Sequence, residues 1–396
     1  MAYDADSMRA AGRMPGMSAF KVVIAPDSFK GTLRATQVCE IWRRAFLENF
    51  PDAELVCLPM ADGGEGCLDV IFASTGAQSI EARVSDPLGR TVIAHWAKLP
   101  DGTAFIEAAE ANGIERLSPS ERNPLAATTY GVGQLMKCAL ESGVGKITIG
   151  IGGSATVDGG AGMLQALGYK LLDGQGNDIA PGGAGIATIK SVVPAELPSF
   201  ELNIACDVVN PLLGAQGTCR VFAPQKGATP EMVEELENAM NHYAGVLVSA
   251  GIASRCDAPG DGAAGGLGFA LRGVLGGRMR SGAKLFAEML HLRENLEGAS
   301  LLITGEGCSD GQTLYGKLPS VVAEIASEMG VPAILCSGAV NDAENALRKQ
   351  FSAVFGTTMK PVPLQEALDN AEENLYRTAC SIAKVLAIGN PISFDK

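Results

Sequence analysis

The chain has 396 residues, of which 47% are hydrophobic and 19% charged, and its formal net charge is −13. This balance predicts a folded protein of two or three domains. The acidic charge and the lack of a Lys/Arg-rich run argue against a nucleic-acid-binding protein. No apolar run is long enough for a membrane span. Residues 1–18 lack the apolar centre of a signal peptide, so we expect a mobile extension on a cytoplasmic protein.

The chain begins with short apolar runs that alternate with helix-like periodicity. Lys21–Ala25 and Glu54–Met60 are predicted strands, and the predicted helices are Ala35–Asn49 and Leu68–Thr75. Such alternation is typical of a parallel sheet. Three short runs separated by turn signals follow, and they predict an antiparallel meander: Ser79–Val84, Thr91–Lys98 and Thr103–Glu107.

Strand and helix signals alternate again in the rest of the chain. The predicted strands are Lys146–Ile151, Glu201–Ala205, Ser300–Thr304, Pro332–Ser337 and Ala353–Thr357. The predicted helices are Gln134–Ser142, Ala161–Leu167, Pro230–Gly251, Pro319–Met329, Asp342–Lys349 and Leu364–Leu386. Because the two ends share one pattern and the middle differs, we predict an α/β fold. A discontinuous Rossmann-like parallel-sheet domain (19–78 and 293–396) has a second α/β domain (79–292) inserted in it.

Five polar, glycine-bearing segments follow predicted strands, which is where parallel sheets bind ligands. In the first segment, Pro26 to Thr32, Lys30 and Ser28 stand at a helix start that favours an anion, and the alternative is a solvated lysine. In the second, Ala61 to Gly66, Asp62 and Glu65 are candidate Mg²⁺ ligands. The alternative for that segment is an acidic turn that caps the next helix.

The third and fourth segments are richer in glycine. Gly150 to Gly160 lets the backbone approach a phosphate, and the candidate contacts are Gly152, Gly153, Ser154 and Thr156. The spacing does not match the GxGxxG fingerprint of dinucleotide-binding proteins. In Gly260 to Gly268, the pair Gly265-Gly266 either contacts the nucleotide or permits close helix packing.

The fifth segment, Thr304 to Lys317, contains Asp310 and ends in a GxxxxGK match. The match is misleading, because Leu318 stands where the Walker motif needs a Ser or Thr for Mg²⁺. Lys317 remains a candidate anion contact. Asp207 is a further candidate because it follows a predicted strand. No histidine accompanies a Ser or Cys motif, and no Cys/His cluster has zinc-site spacing.

Seven segments in this order resemble the bacterial glycerate kinase family, which includes the glycerate 2-kinases of glucarate and glyoxylate metabolism. The resemblance covers about residues 20 to 385, and it is carried by IAPDSFKGTL, PMADGGEG, ERNPLAATTYGVGQL, IGIGGSATVDGGAGMLQALG, ACDVVNPLLG, GAAGGLGFAL and TGEGCSDGQTLYGKLPS. It implies ATP, Mg²⁺ and D-glycerate as ligands, with 2-phosphoglycerate as product. It also implies a discontinuous Rossmann-like domain with an inserted α/β domain.

Phosphoryl transfer requires alignment, charge neutralisation and a proton acceptor, which we expect in a cleft between the domains. Ser28, Lys30, Arg280 and Lys317 are the candidates for substrate or transferring phosphate. Asp62, Glu65 and Asp310 are candidates for Mg²⁺, and Asp207, with fewer charges nearby in sequence, is the candidate base. The alternatives are an NAD-dependent hydroxy-acid oxidoreductase and a non-catalytic metabolite-binding regulator. The sequence leaves the oligomeric state open, a homo-oligomer included.

Overall fold

A computed structural model describes residues 20–342, 345–358 and 360–389. The chain divides into two compact units. The first unit contains the described residues up to Pro59, His291–Tyr315 and those from Val322 onward, and the second contains Met60–Leu290 and Gly316–Val321. The predicted extension 1–18 lies outside the described residues. The predicted boundary at 78 differs from the observed change at Pro59–Met60, whereas the predicted return at 293 lies close to His291.

The first unit is built on a five-stranded parallel sheet with the order β15-β13-β11-β1-β2. Its strands come from both parts of the chain: β1 (Lys21–Ile24), β2 (Glu54–Cys57), β11 (Leu301–Thr304), β13 (Ala333–Ser337) and β15 (Ala353–Gly356). The central strands are continuous apolar runs because both of their faces are buried. The predicted parallel sheet formed from both ends of the chain is therefore observed.

Helices α1 (Ala35–Leu47) and α13 (Ala371–Gly389) supply much of the core of the first unit. In α1, buried residues recur at helical spacing, and Trp42 and Phe46 are at most 1% exposed. They belong to the same core as Leu375 of α13 and Ile24 of β1. Burying each such side chain contributes roughly 1.5–3 kcal/mol, so this apolar stripe holds α1 in place.

The second unit is built on a six-stranded mixed sheet with the order β10-β9-β6-β5-β4-β3. Strands β3 (Gln78–Ser85), β4 (Thr91–Lys98) and β5 (Ala104–Glu107) pair antiparallel, which confirms the predicted meander. The strands β5, β6 (Lys146–Gly150), β9 (Glu201–Ala205) and β10 (Arg278–Arg280) pair in parallel. The carboxyl ends of these four strands consequently lie along one edge of the sheet.

The remaining helices and strands surround the two sheets. The helices are α2 (Cys67–Thr75), α3 (Ala109–Asn112), α4 (Tyr130–Glu141), α5 (Ala161–Ala166), α6 (Thr218–Phe222), α7 (Pro230–Ser249), α8 (Ala263–Phe269), α9 (Gly282–Met289), α10 (Leu292–Leu296), α11 (Leu318–Glu328) and α12 (Leu364–Asp369). Two small sheets pair β7 (Lys170–Leu172) with β8 (Ser191–Val193) and β12 (Cys308–Asp310) with β14 (Ala339–Asn341). No helix within the described ranges has the length and apolar character needed to cross a membrane.

Candidate active site

In the first unit, the strand order reverses between β1 and β11. From β1 the chain continues to β2 on one side, while β11, β13 and β15 extend the sheet on the other. In open parallel sheets the crevice at such a reversal is the usual ligand site. The segments that follow these two strands carry Ser28 and Lys30 after β1, and Glu306 and Asp310 after β11. The fold therefore brings two predicted site segments to one crevice.

The two segments at this crevice lie side by side. The Asp27 amide donates to the Gly305 carbonyl (2.9 Å), and the Ser28 amide donates to the Asp27 carboxylate (2.7 Å). A Cβ atom on Gly307 would lie 3.2 Å from the backbone nitrogen of Lys30, so glycine permits this close approach of the two backbones. Lys30 is exposed to solvent, and Ser28 is half-buried.

The acids after β11 are held by their own segment. Glu306 Oε1 accepts hydrogen bonds from the hydroxyls of Ser309 (3.0 Å) and Thr313 (2.8 Å). Asp310 Oδ1 accepts from the Gln312 amide (2.8 Å) and begins a single 3₁₀ turn, Gly311–Leu314. Asp310 is therefore a half-buried carboxylate of defined orientation, in the same unit as Ser28 and Lys30.

In the second unit, the segment Asp62 to Gly66 lies across the carboxyl ends of three parallel strands. The Gly152 amide, just past β6, donates to the Gly63 carbonyl (3.0 Å). A Cβ atom on Gly63 would lie 2.7 Å from the carbonyl oxygen of Ala205, the last residue of β9. The Gly66 amide donates to Glu107 at the end of β5 (3.0 Å). The close approach requires backbone without a side chain at Gly63, and the positive φ of Gly66 (+88°) is a conformation that side chains rarely adopt.

Glu107 attaches that segment to β5, and our sequence analysis did not identify it. Its carboxylate is 4% exposed and accepts from the amides of Gly66 (3.0 Å) and Leu68 (2.9 Å) at the start of α2. Burial raises the pKa of Glu107 to about 7, although the two amide hydrogen bonds oppose the shift. The available signal was a single acid at the end of the apolar run Ala104–Ile106.

Asp207 has few charges nearby in sequence, but the fold gives it Asp62 as a charged neighbour. Burial by neighbouring groups raises the pKa of Asp207, hydrogen bonding to Ser281 lowers it, and the charge of Asp62 raises it further. Asp207 Oδ1 accepts from the Gly282 amide (3.1 Å) at the start of α9. A Cβ atom on Gly282 would lie 1.8 Å from the Asp62 carbonyl oxygen, so both acids adjoin this glycine.

The Asp62–Asp207 pair presents hard oxygen donors of the kind that Mg²⁺ binds. Among the described residues, no group of three or more His, Cys, Asp or Glu side chains is arranged to hold a metal ion. Mg²⁺ commonly uses one or two carboxylates and retains several waters, so two acids are sufficient. Asp62 and Asp207 are therefore the candidate ligands for a hydrated magnesium ion.

The glycine-rich segment after β6 divides into an accessible part and a buried part. Gly152 is partly exposed and Gly153 is exposed, so their backbone is accessible to a phosphate. Ser154 is 7% exposed, and Thr156 is fully buried with its hydroxyl accepting from Asn112 (3.2 Å). The Thr156 side chain thus supports the loop from behind, which corrects its predicted contact with the nucleotide.

Lys226 stabilises the buried side of this segment, and no pattern in the sequence pointed to it. Its Nζ donates to Ser154 Oγ (2.7 Å) and to the Thr156 carbonyl (2.8 Å), and the residue is 3% exposed. Burial lowers the pKa of Lys226 to about 7, and the charge of Asp158 opposes the shift. A buried lysine therefore lies directly behind the candidate phosphate loop.

Gly265 and Gly266 support the packing alternative considered for them. Both are buried with positive φ angles of +71° and +85°, and a Cβ atom on Gly265 would lie 1.8 Å from the Thr156 carbonyl oxygen. The Gly159 amide also donates to the Gly265 carbonyl (3.0 Å). The backbone of residues 156–159 occupies the space on one side of these glycines. They therefore allow the two segments to pack together, and they do not form a surface for a nucleotide.

The remaining two predicted substrate contacts lie in different settings. Arg280, the last residue of β10, directs one guanidinium nitrogen at both carboxylate oxygens of Glu288 (2.7 Å each). Lys317 is half-buried and immediately precedes α11, where its carbonyl accepts from the Ser320 amide (3.0 Å).

Glu65, a predicted Mg²⁺ ligand, lies beside the glycine-rich segment after β6. A Cβ atom on Gly153 would lie 3.8 Å from the Cβ of Glu65, and the charge of Glu65 raises the pKa of Glu107.

Comparisons with known proteins identify the family of the chain. A profile of the glycerate kinase family matches residues 22–387. The chain is 44% identical to the glycerate 2-kinase of Escherichia coli K12, covering 93% of this chain and 98% of the relative. It is 43% identical to the glycerate kinase of Bacillus cereus, covering 94% and 100%. A crystal structure from Salmonella typhimurium LT2, provisionally named glycerate kinase 2, superposes with a TM-score of 0.82 at 42% identity, covering 95% and 100%. The chain therefore belongs to the glycerate kinase family.

Proposed function

We propose that this protein is a cytoplasmic enzyme that transfers the γ-phosphoryl group of ATP to the 2-hydroxyl of D-glycerate and releases 2-phosphoglycerate. Family membership supports the kinase reaction, and the relatives give no support to an NAD-dependent oxidoreductase. The observation that carries the proposal is the segment Asp62 to Gly66. It lies across the ends of three parallel strands and brings a carboxylate pair and an open glycine loop to one edge.

Asp62 and Asp207 would hold the magnesium ion, which neutralises charge on the transferring phosphates when bound. This role for Asp207 reverses the sequence-based division, in which Asp310 bound the metal and Asp207 acted as base. The reason is the Asp62 charge that the fold places beside Asp207. The amides at the start of α9 and the Ser281 hydroxyl orient the Asp207 carboxylate, so its position does not depend on the ion.

Ser28 and Lys30 would bind the carboxylate of glycerate at the β1–β11 crevice, because an exposed ammonium there meets an anion at modest desolvation cost. Asp310, oriented at the same crevice, would accept the hydroxyl proton. In the reaction, the 2-hydroxyl oxygen forms a bond to the γ-phosphorus and the bond to the β–γ bridging oxygen breaks. ADP leaves with that oxygen, and the proton passes to the carboxylate.

Gly152 and Gly153 would accommodate a nucleotide phosphate against their backbone. Both are accessible, while the neighbouring Ser154 hydroxyl accepts a hydrogen bond from buried Lys226 (2.7 Å). Lys226 is fixed behind the loop, and its charged form favours an anion in front of the loop without moving during the reaction. The loop is therefore preorganised for phosphate binding.

Phosphorus NMR of the product tests the reaction directly. The purified protein is incubated with ATP, Mg²⁺ and D-glycerate, and the new phosphate ester is identified by its coupling to carbon-bound protons. In 2-phosphoglycerate the phosphorus couples to a single methine proton, and in 3-phosphoglycerate to a methylene pair. A 3-phosphoglycerate signal would overturn the 2-hydroxyl assignment, and no ester from folded protein would overturn the kinase proposal.

The magnesium dependence of two variants distinguishes the proposed roles of Asp207 and Asp310. We expect Asp207→Asn to raise the Mg²⁺ concentration needed for half-maximal rate at least tenfold. Asp310→Asn should lower turnover without changing that concentration. Asp101→Asn is the matched control, because Asp101 makes a similar local hydrogen bond to a backbone amide (2.9 Å) in the turn that precedes β5. Equal Mg²⁺ dependence in all three variants would contradict the assigned roles.

A further inference from the structure

Two cysteines that the reaction does not use approach each other at the edge of the first sheet. Cys39 lies on α1 and is 3% exposed, and Cys57 is the partly exposed last residue of β2. The Cys57 thiol lies 3.8 Å from the Cys39 carbonyl oxygen, and each thiol shifts the pKa of the other.

The pair flanks a segment that carries candidate site residues. Cys57 is the register partner of Ile24, the last residue of β1, and the Cys39 thiol points at the Ile24 carbonyl (3.7 Å). From Ile24 the chain runs through Ser28 and Lys30 and then enters α1, which contains Cys39. A bond between the two sulfurs would therefore join both flanks of the 25–34 segment.

Exposure distinguishes the two thiols, because a peroxide can reach the partly exposed Cys57 first, while the buried Cys39 is the resolving partner. The hydrogen bond from Cys39 lowers the pKa of Cys57, and the positive charge of Arg43 lowers it further, while burial and Glu40 oppose the shift. Burial and the contact with Cys57 raise the pKa of Cys39. A partly exposed thiol of lowered pKa beside a protonated one is the arrangement of a redox-active pair.

We propose that Cys39 and Cys57 are a modification site, at which a hydroperoxide converts the two thiols into a reversible disulfide. The Cys57 thiolate attacks the peroxide, so a sulfur–oxygen bond forms, the oxygen–oxygen bond breaks and hydroxide leaves. The Cys39 sulfur then displaces the oxygen of the Cys57 sulfenic acid, and the thiol proton leaves with it as water. Two thiols lose two electrons in total, and hydrogen peroxide is reduced to water.

The test uses the full chain, oxidised in its native state with hydrogen peroxide and then alkylated in denaturant. Trypsin with Glu-C separates Cys57 (peptide 55–65) from Cys67, and places Cys39 in peptide 35–40. We expect mass spectrometry to find a cross-link between these two peptides that dithiothreitol removes. Recovery of Cys39 and Cys57 as alkylated free thiols, with oxidation confined to exposed Cys308, would overturn the proposal.

Single variants assign the order of events. Cys57→Ser should leave Cys39 alkylated after peroxide treatment. Cys39→Ser should leave Cys57 as a sulfenic acid that dimedone traps. Cys138→Ser, which removes another partly exposed thiol, should still form the cross-link and is the matched control. Sulfenic acid on Cys39 in place of Cys57 would reverse the assigned roles and contradict the mechanism.

Discussion

Replacing Lys226 with methionine tests whether burial depresses the pKa of the lysine behind the candidate phosphate loop. Burial lowers the pKa of Lys226 from 10.5 to about 7, so between those values the unfolded chain binds a proton that the folded chain does not. Stability must then rise with pH across this window, by roughly 5 kcal/mol in total and about 3–4 kcal/mol between pH 7 and 10. A methionine side chain does not titrate, so Lys226→Met should lose this gain.

At neutral pH the substitution has one stabilising and one destabilising effect on the folded protein. Methionine removes the desolvation penalty but leaves Ser154 Oγ and the Thr156 carbonyl without their donor, at about 1–3 kcal/mol each. We therefore expect wild type and Lys226→Met to differ little at pH 7. At pH 10 the variant should be the less stable protein by about 2–6 kcal/mol, because neutral lysine still donates there.

The assay is urea unfolding at pH 7, 8, 9 and 10, followed by fluorescence. The chain has two tryptophans, Trp42 in the first unit and Trp96 in the second, so a Trp42→Phe background reports the second unit alone. Lys170→Met is the control, because Lys170 is exposed beside Asp178 (3.3 Å). A difference between wild type and Lys226→Met that stays constant from pH 7 to 10 would refute the reasoning.

Three further predictions rest on other sites. The raised pKa of Glu107 stabilises the wild type only at low pH, so the wild type loses up to about 3 kcal/mol of stability as pH rises from 4.5 to 7. Glu107→Gln should not show this loss, and melting temperatures of both proteins at pH 5 and 8 measure the difference. Gly265→Ala should lower the melting temperature far more than Gly176→Ala, since both have positive φ but only Gly265 has backbone at 1.8 Å; equal losses would contradict the packing role. Lys30→Met should reduce turnover at least tenfold with an unchanged melting temperature, and turnover within threefold of wild type would show a solvated side chain.

Helix-capping and turn residues correctly predicted those helices and strands that are stabilised by residues close in sequence. The Thr229-Pro230-Glu231 signature predicts a helix start, and α7 begins at Pro230 with the Thr229 hydroxyl accepting from the Met232 amide (3.3 Å). The three turn-separated runs from Ser79 to Glu107 likewise predict the observed meander. Such signals act over a few residues, so they do not depend on the rest of the fold.

Elements that depend on distant partners were predicted less well. The predicted helix Asp342–Lys349 is wrong in its described part: β14 ends at Asn341, and only the 3₁₀ turn Leu347–Lys349 follows. β14 pairs with the three-residue strand β12, which has no sequence signal of its own. The predicted helix Leu364–Leu386 is two helices, because Asn370 ends α12 with its side chain bound to the Glu366 carbonyl (2.8 Å).

The site shows the same division. Glycine and acid patterns after strands identified the segments that reach the sheet edges, because that rule follows from strand direction alone. The proximity of Asp62 to Asp207 and the support from Lys226 arise only when separate segments pack together. The role of Gly265 could not be assigned from the sequence, because a glycine can adopt a positive φ angle either for close packing or for ligand binding.

The first sheet also has a consequence for protein synthesis. The Thr304 hydroxyl donates to the Ala25 carbonyl across 279 residues of chain, so β1 can pair with β2 early but with β11 only after β11 has left the ribosome. The strands β3 to β10 all lie between Gln78 and Arg280, so the second unit has its whole sheet available earlier. At about 5–20 residues per second, that order exposes the edge of β1 for many seconds to other nascent chains. One edge of β1 therefore stays unpaired until most of the chain has been made, and that interval is when chaperones have most to protect.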